Sequence, residues 1–184
     1  MWFQEAERIY LVPIGKIQWW LLEETKDPLQ ELFGKEVFIH NGIDFPYELV
    51  SRDREQLHST RLIETLVGLG LRGLVLGITD YDLYVPGLNF VFGEADPIEG
   101  TGVISVKRLK KQFQEDDVDQ GVLIERTIKE AVHEMGHLFG LKHCPASHCA
   151  MHFSDTVEDT DGKEKAFCEA CNMTLAQIIK DSGS

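Results

Sequence analysis

The chain has 184 residues, 43% of them hydrophobic and 27% charged, which suits one soluble globular domain with at most a small appendage. A formal net charge of −13 leaves no basic face for phosphate backbones, so no nucleic-acid partner is expected. No apolar run reaches the ~18 residues of a membrane span, and residues 1–8 lack a basic stretch followed by an apolar core, so the cytoplasm is the expected compartment.

Residues 9–14 read as a first strand, closed by Pro13 and Gly15. Residues 17–33 carry apolar side chains at helical spacing, with Gly34 as the stop. Within that helix Trp19 and Trp20 are adjacent, so one faces the core while the other is partly exposed. Residues 37–40 form a second short strand that places His40 at its end without chemistry, and Asn41-Gly42 marks a turn. A second helix is expected over residues 53–69, with His58 exposed in mid-helix. The continuous apolar run of residues 74–79 has strand length and suits a strand buried on both faces. Asp80-Tyr81-Asp82 ends it as a solvated turn rather than a cation site. After Pro86-Gly87, residues 88–92 and 102–106 are two further strand candidates. Residues 107–119 are charged throughout and read as a solvated loop or exposed helix. The order predicts an α/β sandwich on a mixed sheet, with one antiparallel edge strand.

The long helix of residues 119–139 carries most of the chemistry. Ile124, Ile128, Ala131, Met135 and Phe139 form a stripe that packs on the sheet, while His133 points about 160° away from Ala131 and Met135. His133 and His137 are four residues apart, one above the other on one face, so two imidazoles can bind one zinc ion at about 2.0–2.1 Å. Gly140 suits the helix end, where a left-handed residue reverses the chain and brings back His143 as a third ligand. Three histidines leave a fourth position open, the arrangement of a catalytic rather than a structural zinc. Zinc held there lowers the pKa of a coordinated water toward ~7 and polarises a scissile carbonyl. Glu134, rotated about 100° from His133, misses the metal and can take the proton as the water attacks, then pass it to the leaving amine.

The sequence contains four cysteines, Cys144, Cys149, Cys168 and Cys171. Their Cys-x₄-Cys and Cys-x₂-Cys spacings fit a closed tetrahedral structural zinc at about 2.3 Å per bond, with two disulfides or buried free thiols as the alternatives. Such a metal would brace residues 144–184, which are too few for a core of their own. The chain therefore divides into a 1–143 α/β part containing the helix of residues 119–139 and a 144–184 zinc-stapled part. In the latter, residues 155–165 read as a charged loop and residues 174–179 as a short docking helix. His148 and His152 are accessory, since each site is complete without them.

The motif H-E-x-x-H-x-x-G-x-x-H at His133, Glu134, His137, Gly140 and His143 resembles that of the metzincin clan of zinc metallopeptidases. With Cys144, Cys149, Met151 and the Cys168-x-x-Cys171 pair it is similar to the archaemetzincin family over residues 133–171. The resemblance implies a metzincin-like α/β domain above a cleft, a methionine turn at Met151, and hydrolysis of peptide bonds in peptides or polypeptides. Where astacin-like clan members carry a zinc-reaching tyrosine, this chain has Phe153, so no fifth protein ligand is expected. The clan's substrate-pairing edge strand is assigned to Leu88, Asn89, Phe90, Val91 and Phe92, with residues 102–106 as runner-up. Two zinc ions per chain and a peptide substrate are therefore expected, with no obligate protein partner. A zinc amidohydrolase for a non-peptide substrate and a non-catalytic zinc adaptor remain as alternatives. Intact Glu134 argues against the adaptor.

Overall fold

The computed structural model describes residues 6–110 and 119–182. The expectation for residues 107–119 therefore falls mostly outside the described residues. So do the first five positions of the N-terminal segment. Among the described residues, strands β1 (Arg8–Ile14), β2 (Glu36–Ile39), β5 (Leu74–Thr79), β7 (Gly93–Asp96) and β8 (Thr101–Ser105) form one sheet in the order β2-β1-β5-β8-β7. All pairs are parallel except β7 on β8, which puts the one antiparallel strand at the edge, as expected. Short strands β3 (Val50–Ser51), β4 (Gln56–His58) and β6 (Leu83–Tyr84) make a second small sheet.

Strand alternation sorts the core. In β1, Ile9 and Leu11 point to one face, where helices α1 (Trp19–Phe33) and α3 (Gln120–Leu138) pack; Val12 and Ile14 point to the other, under α2 (Ser59–Val67). β5 does the same with Leu74, Leu76 and Ile78 against Val75, so the sheet is buried on both faces. The stripe predicted on α3 is in place: Ile128, Ala131, Met135 and Phe139 are buried and Ile124 packs at its margin. Phe139 stacks on Phe33 of α1 with ring centroids 5.0 Å apart. Trp19 is 52% exposed while Trp20 packs on the core.

Beyond residue 143 the chain adds α4 (Val157–Gly162) and α5 (Glu169–Ser182). Among the described residues it has no separate core; Cys149, Ala150, Met151, Phe167 and Leu175 join the main hydrophobic cluster. Docking is also polar. Arg126 of α3 grips Asp161 through two bonds of 2.7 Å, and Lys163 meets Glu130 at 3.0 Å with both side chains buried.

Four local expectations are corrected. Residues 88–92 are not a strand; the antiparallel edge is Gly93–Asp96, and Val91 makes only an isolated bridge to Leu83. The segment instead gives two of its carbonyls to side chains: Arg54 donates to Leu88 O at 2.8 Å and Asn89 O at 2.7 Å, and Gln56 to Asn89 O at 2.9 Å. His58 ends β4 and precedes α2, because residues 53–58 turn and pair as strand before the helix starts at Ser59. Within residues 155–165, a capping box between Thr156 and Asp159 starts a short helix. Finally, Asp80 and Asp82 are ion-paired rather than solvated, to Lys110 at 2.5 Å and Arg108 at 2.6 Å.

Candidate active site

α3 begins at Asp119, whose carboxylate accepts from the Gly121 and Val122 amides and so satisfies two of the first free N–H groups. Its other end supplies the site. Gly140 adopts φ +94°, a value strained for residues with a Cβ, and the chain doubles back there. That reversal delivers the Leu141 carbonyl to His137 Nδ1 at 2.8 Å, and two residues later His143. His133 Nδ1 meets the Ala150 carbonyl at 2.7 Å. Each ring thus donates from Nδ1 and turns Nε2 toward its neighbours.

The three imidazoles converge, with one ring nitrogen of each within 4.8 Å of the others. Nε2 of His133 and Nε2 of His137 are 3.2 Å apart. Two nitrogens bound tetrahedrally to one zinc at ~2.0–2.1 Å would be about 3.3–3.4 Å apart, so the cluster fits that ion. Burial pushes His133 well below the ordinary imidazole range, helped by the Lys163 charge and the neighbouring histidines. Burial also lowers His137, and lowers His143 with help from Lys163 and His152. Neutral imidazole is the form that ligates metal, so the electrostatics agree with the geometry.

Glu134 is buried, and burial raises its carboxyl well above the usual carboxylate range; Glu130 and Glu94 push the same way and Lys163 opposes them. It lines a cleft of about 490 Å³ together with all three histidines. Residues 88–95 form the upper wall of that cleft, so Leu88, Asn89, Phe90, Val91 and Phe92 border it without being a strand. Phe153 stands on the lower wall, its ring 5.0 Å from that of His143.

The cysteines form a second group, with their sulfurs also within 4.8 Å of one another. Cys144 Sγ and Cys168 Sγ are 3.7 Å apart, far beyond a disulfide bond of ~2.05 Å and close to the ~3.8 Å of two sulfurs on a tetrahedral zinc. A hydrogen bond from the Cys171 amide is the main cause holding the Cys168 thiol down at about 7, while burial and the other three sulfurs push Cys171 up.

The two groups share backbone. His143 precedes Cys144, and Ala150, which anchors His133, follows Cys149. Between them the Cys144 amide donates to Met151 O at 2.9 Å, and His152 Nδ1 meets Cys144 O at 3.0 Å. Met151 is fully buried beneath α3, where a Cβ at Gly136 would overlap its sulfur.

Several residues of this region escaped the sequence reading. Gly136 carried a weak signal, a glycine inside a helix, where it costs about 1 kcal/mol against alanine. Glu130 sits one turn before Glu134, a spacing open to inspection. Gly93 and Glu94 carried none. A Cβ at Gly93 would lie 2.6 Å from Glu134 Oε1, and Glu94 is held by the hydroxyls of Ser59 and Thr60. Lys163 and Thr160, 33 and 30 residues from Glu130, meet it only through folding.

Residues 50–177 match the sequence profile of Peptidase family M54. The archaemetzincin of Thermococcus kodakarensis is 38% identical over 180 residues, which covers 94% of this chain and 97% of that protein. Two crystal structures, each 36% identical, share the fold. The archaemetzincin of Archaeoglobus fulgidus, complexed with malonate, has a TM-score of 0.79 over 90% of this chain and 98% of its own. That of Methanopyrus kandleri has a TM-score of 0.82 over 95% and 96%.

Proposed function

This chain belongs to Peptidase family M54, the archaemetzincins, and is a zinc metallopeptidase; we propose that it cleaves peptide bonds with Glu134 as general base beside a zinc ion held by His133, His137 and His143. The observation that carries this reading is the buried Glu134 carboxyl lining the same cleft as three converging imidazoles. Zinc, when bound, supplies the Lewis acidity that activates a water and polarises the scissile carbonyl. Glu134 accepts the proton of the attacking water and returns it to the departing nitrogen, a role its place in the cleft beside the three histidines suits. Ala150 and Leu141 keep the two helix imidazoles in the ligating tautomer.

The substrate runs extended along the edge strand β7, pairing with its backbone by β-augmentation, with residues 88–92 as the wall above it. Cys144, Cys149, Cys168 and Cys171 hold a second, structural zinc that braces the 144–184 part against the 1–143 part, with Met151 as the methionine turn. Four thiols converging without a disulfide suit a reducing compartment such as the cytoplasm.

Metal analysis combined with a quenched-fluorescent peptide library tests this on wild type and Glu134→Ala. Two zinc ions per chain are expected in both proteins, with cleavage reduced about 10²–10⁴-fold in the variant. Equal cleavage by the variant removes Glu134 from the mechanism. A single zinc, at full peptidase activity, removes the four-cysteine site.

A further inference from the structure

We propose that the crevice outside the carboxyl ends of β1 and β5 is a second binding site, which takes a small organic cation with N–H donors on a flat body. The chain leaves β1 for β2 on one side, and later places β5 on the other. The strand order reverses direction between β1 and β5, with α1 and α2 on opposite faces. In open α/β sheets such a switch point leaves a crevice where ligands bind. Here it holds a cavity of about 790 Å³, within the usual range for small-molecule sites. No residue lining it lines the peptidase cleft.

Two polar atoms in its lining residues have work left to do. Thr79 is fully buried, and its Oγ1 has no hydrogen-bond partner among the described residues. The same holds for Asp80 Oδ1, although Oδ2 of that carboxylate takes Lys110 at 2.5 Å. Native proteins pair nearly all such atoms, so two adjacent orphans in one cavity mark a place where a ligand supplies the partner. A carboxylate oxygen only accepts and a threonine hydroxyl does both, so one N–H-bearing group satisfies the pair.

The remaining walls select its charge and shape. Phe45 and Tyr81 have ring centroids 4.9 Å apart, and Tyr47, 79% exposed, stands edge-on to Phe45 at 4.7 Å. Aromatic faces attract cations. Of the charged lining residues, Lys16 offsets Asp44, and Asp80 holds Lys110 on Oδ2 while its Oδ1 has no partner among the described residues. An amidinium or guanidinium on a planar body meets every one of these features.

Benzamidine is a suitable probe, titrated into the zinc-loaded full chain while amide signals are followed by NMR. Saturable shifts are expected at residues 14–16, 43–47 and 79–81. At least tenfold weaker binding is expected in Thr79→Val and in Asp80→Asn, and no binding of benzoate. Thr79→Val keeps shape and burial, so its peptidase activity should equal wild type and serves as the folding control. The proposal is overturned if no saturable shift appears at these residues, if either variant binds as wild type does, or if benzoate binds equally well.

Discussion

Lys163→Met is the sharpest test of how the C-terminal part is held under the active-site helix. The Lys163 side chain is 0% exposed and that of Glu130 is 3% exposed, and Nζ lies 3.0 Å from Oε1. The same oxygen accepts from Thr160 Oγ1 at 2.9 Å. Removing the lysine therefore leaves a carboxylate in the interior with only a hydroxyl beside it. Stranding one member of such a pair costs about 3–5 kcal/mol. For a domain of this size each kcal/mol moves the melting temperature by roughly 2–4 °C, so a fall of about 6–20 °C is expected by calorimetry of the zinc-loaded protein. The triple variant Glu130→Leu, Thr160→Val, Lys163→Met removes the stranded groups together and should recover most of the loss, since apolar residues replace a buried pair at little or no cost. A fall of less than 2 °C in the single variant, or a triple variant as unstable as the single, would refute the reasoning.

Three further outcomes are expected. Gly93→Ala puts a methyl 2.6 Å from Glu134 Oε1 and 2.7 Å from its Cγ, so the carboxyl must move; a displacement near 1 Å costs about 10²-fold in kcat/KM, measurable at unchanged zinc content and nearly unchanged melting temperature. Cys144→Ser should weaken zinc at the histidine cluster as well as at the cysteines, by about 10–100-fold in chelator competition, because Cys144 adjoins His143 and its amide holds Met151 O. Unchanged affinity at the histidines would separate the two centres. Asp82, though partly buried, is held below the usual carboxylate range by hydrogen bonds from Arg108 and Gln56 and by the Arg108 charge. Its folded pKa is the depressed one, so its contribution is present above ~4 and is lost as pH falls through the lower folded value. The melting-temperature gap between wild type and Asp82→Asn should be constant above about pH 5 and close below pH 4.

The elements read well where periodicity was strong and poorly where it was not. α3 was legible to within a residue at each end because an apolar stripe and a terminating glycine act locally. The apolar run Leu74–Thr79 was legible because a strand covered on both faces needs no polar position. The edge strand was misplaced for the converse reason. Leu88 to Phe92 has strand composition, but the carbonyls of Leu88 and Asn89 are taken by Arg54 and Gln56, residues more than 30 positions away. The true edge, Gly-Glu-Ala-Asp, has no apolar alternation, since it borders a polar cleft and its glutamate binds Ser59 and Thr60. Strands of two or three residues, such as β3, β4 and β6, are too short for any period to register.

The sequence by itself determined the chemistry that depends on spacing along one helix and one short loop: two histidines a turn apart, a carboxylate beside them, a third histidine after a glycine reversal, and four cysteines in two close pairs. Local geometry brings the histidines and the members of each cysteine pair together, which a sequence carries directly; the two pairs, with Cys144 and Cys168 24 residues apart, meet through folding. Only the tertiary structure decided what surrounds that chemistry. It set Lys163 and Thr160 on Glu130, Gly93 against Glu134, the Ala150 carbonyl on His133, and Thr79 with Asp80 beside the aromatic wall of a second cavity. Those partners lie on different elements and meet through packing of the sheet and helices, so no local pattern records them.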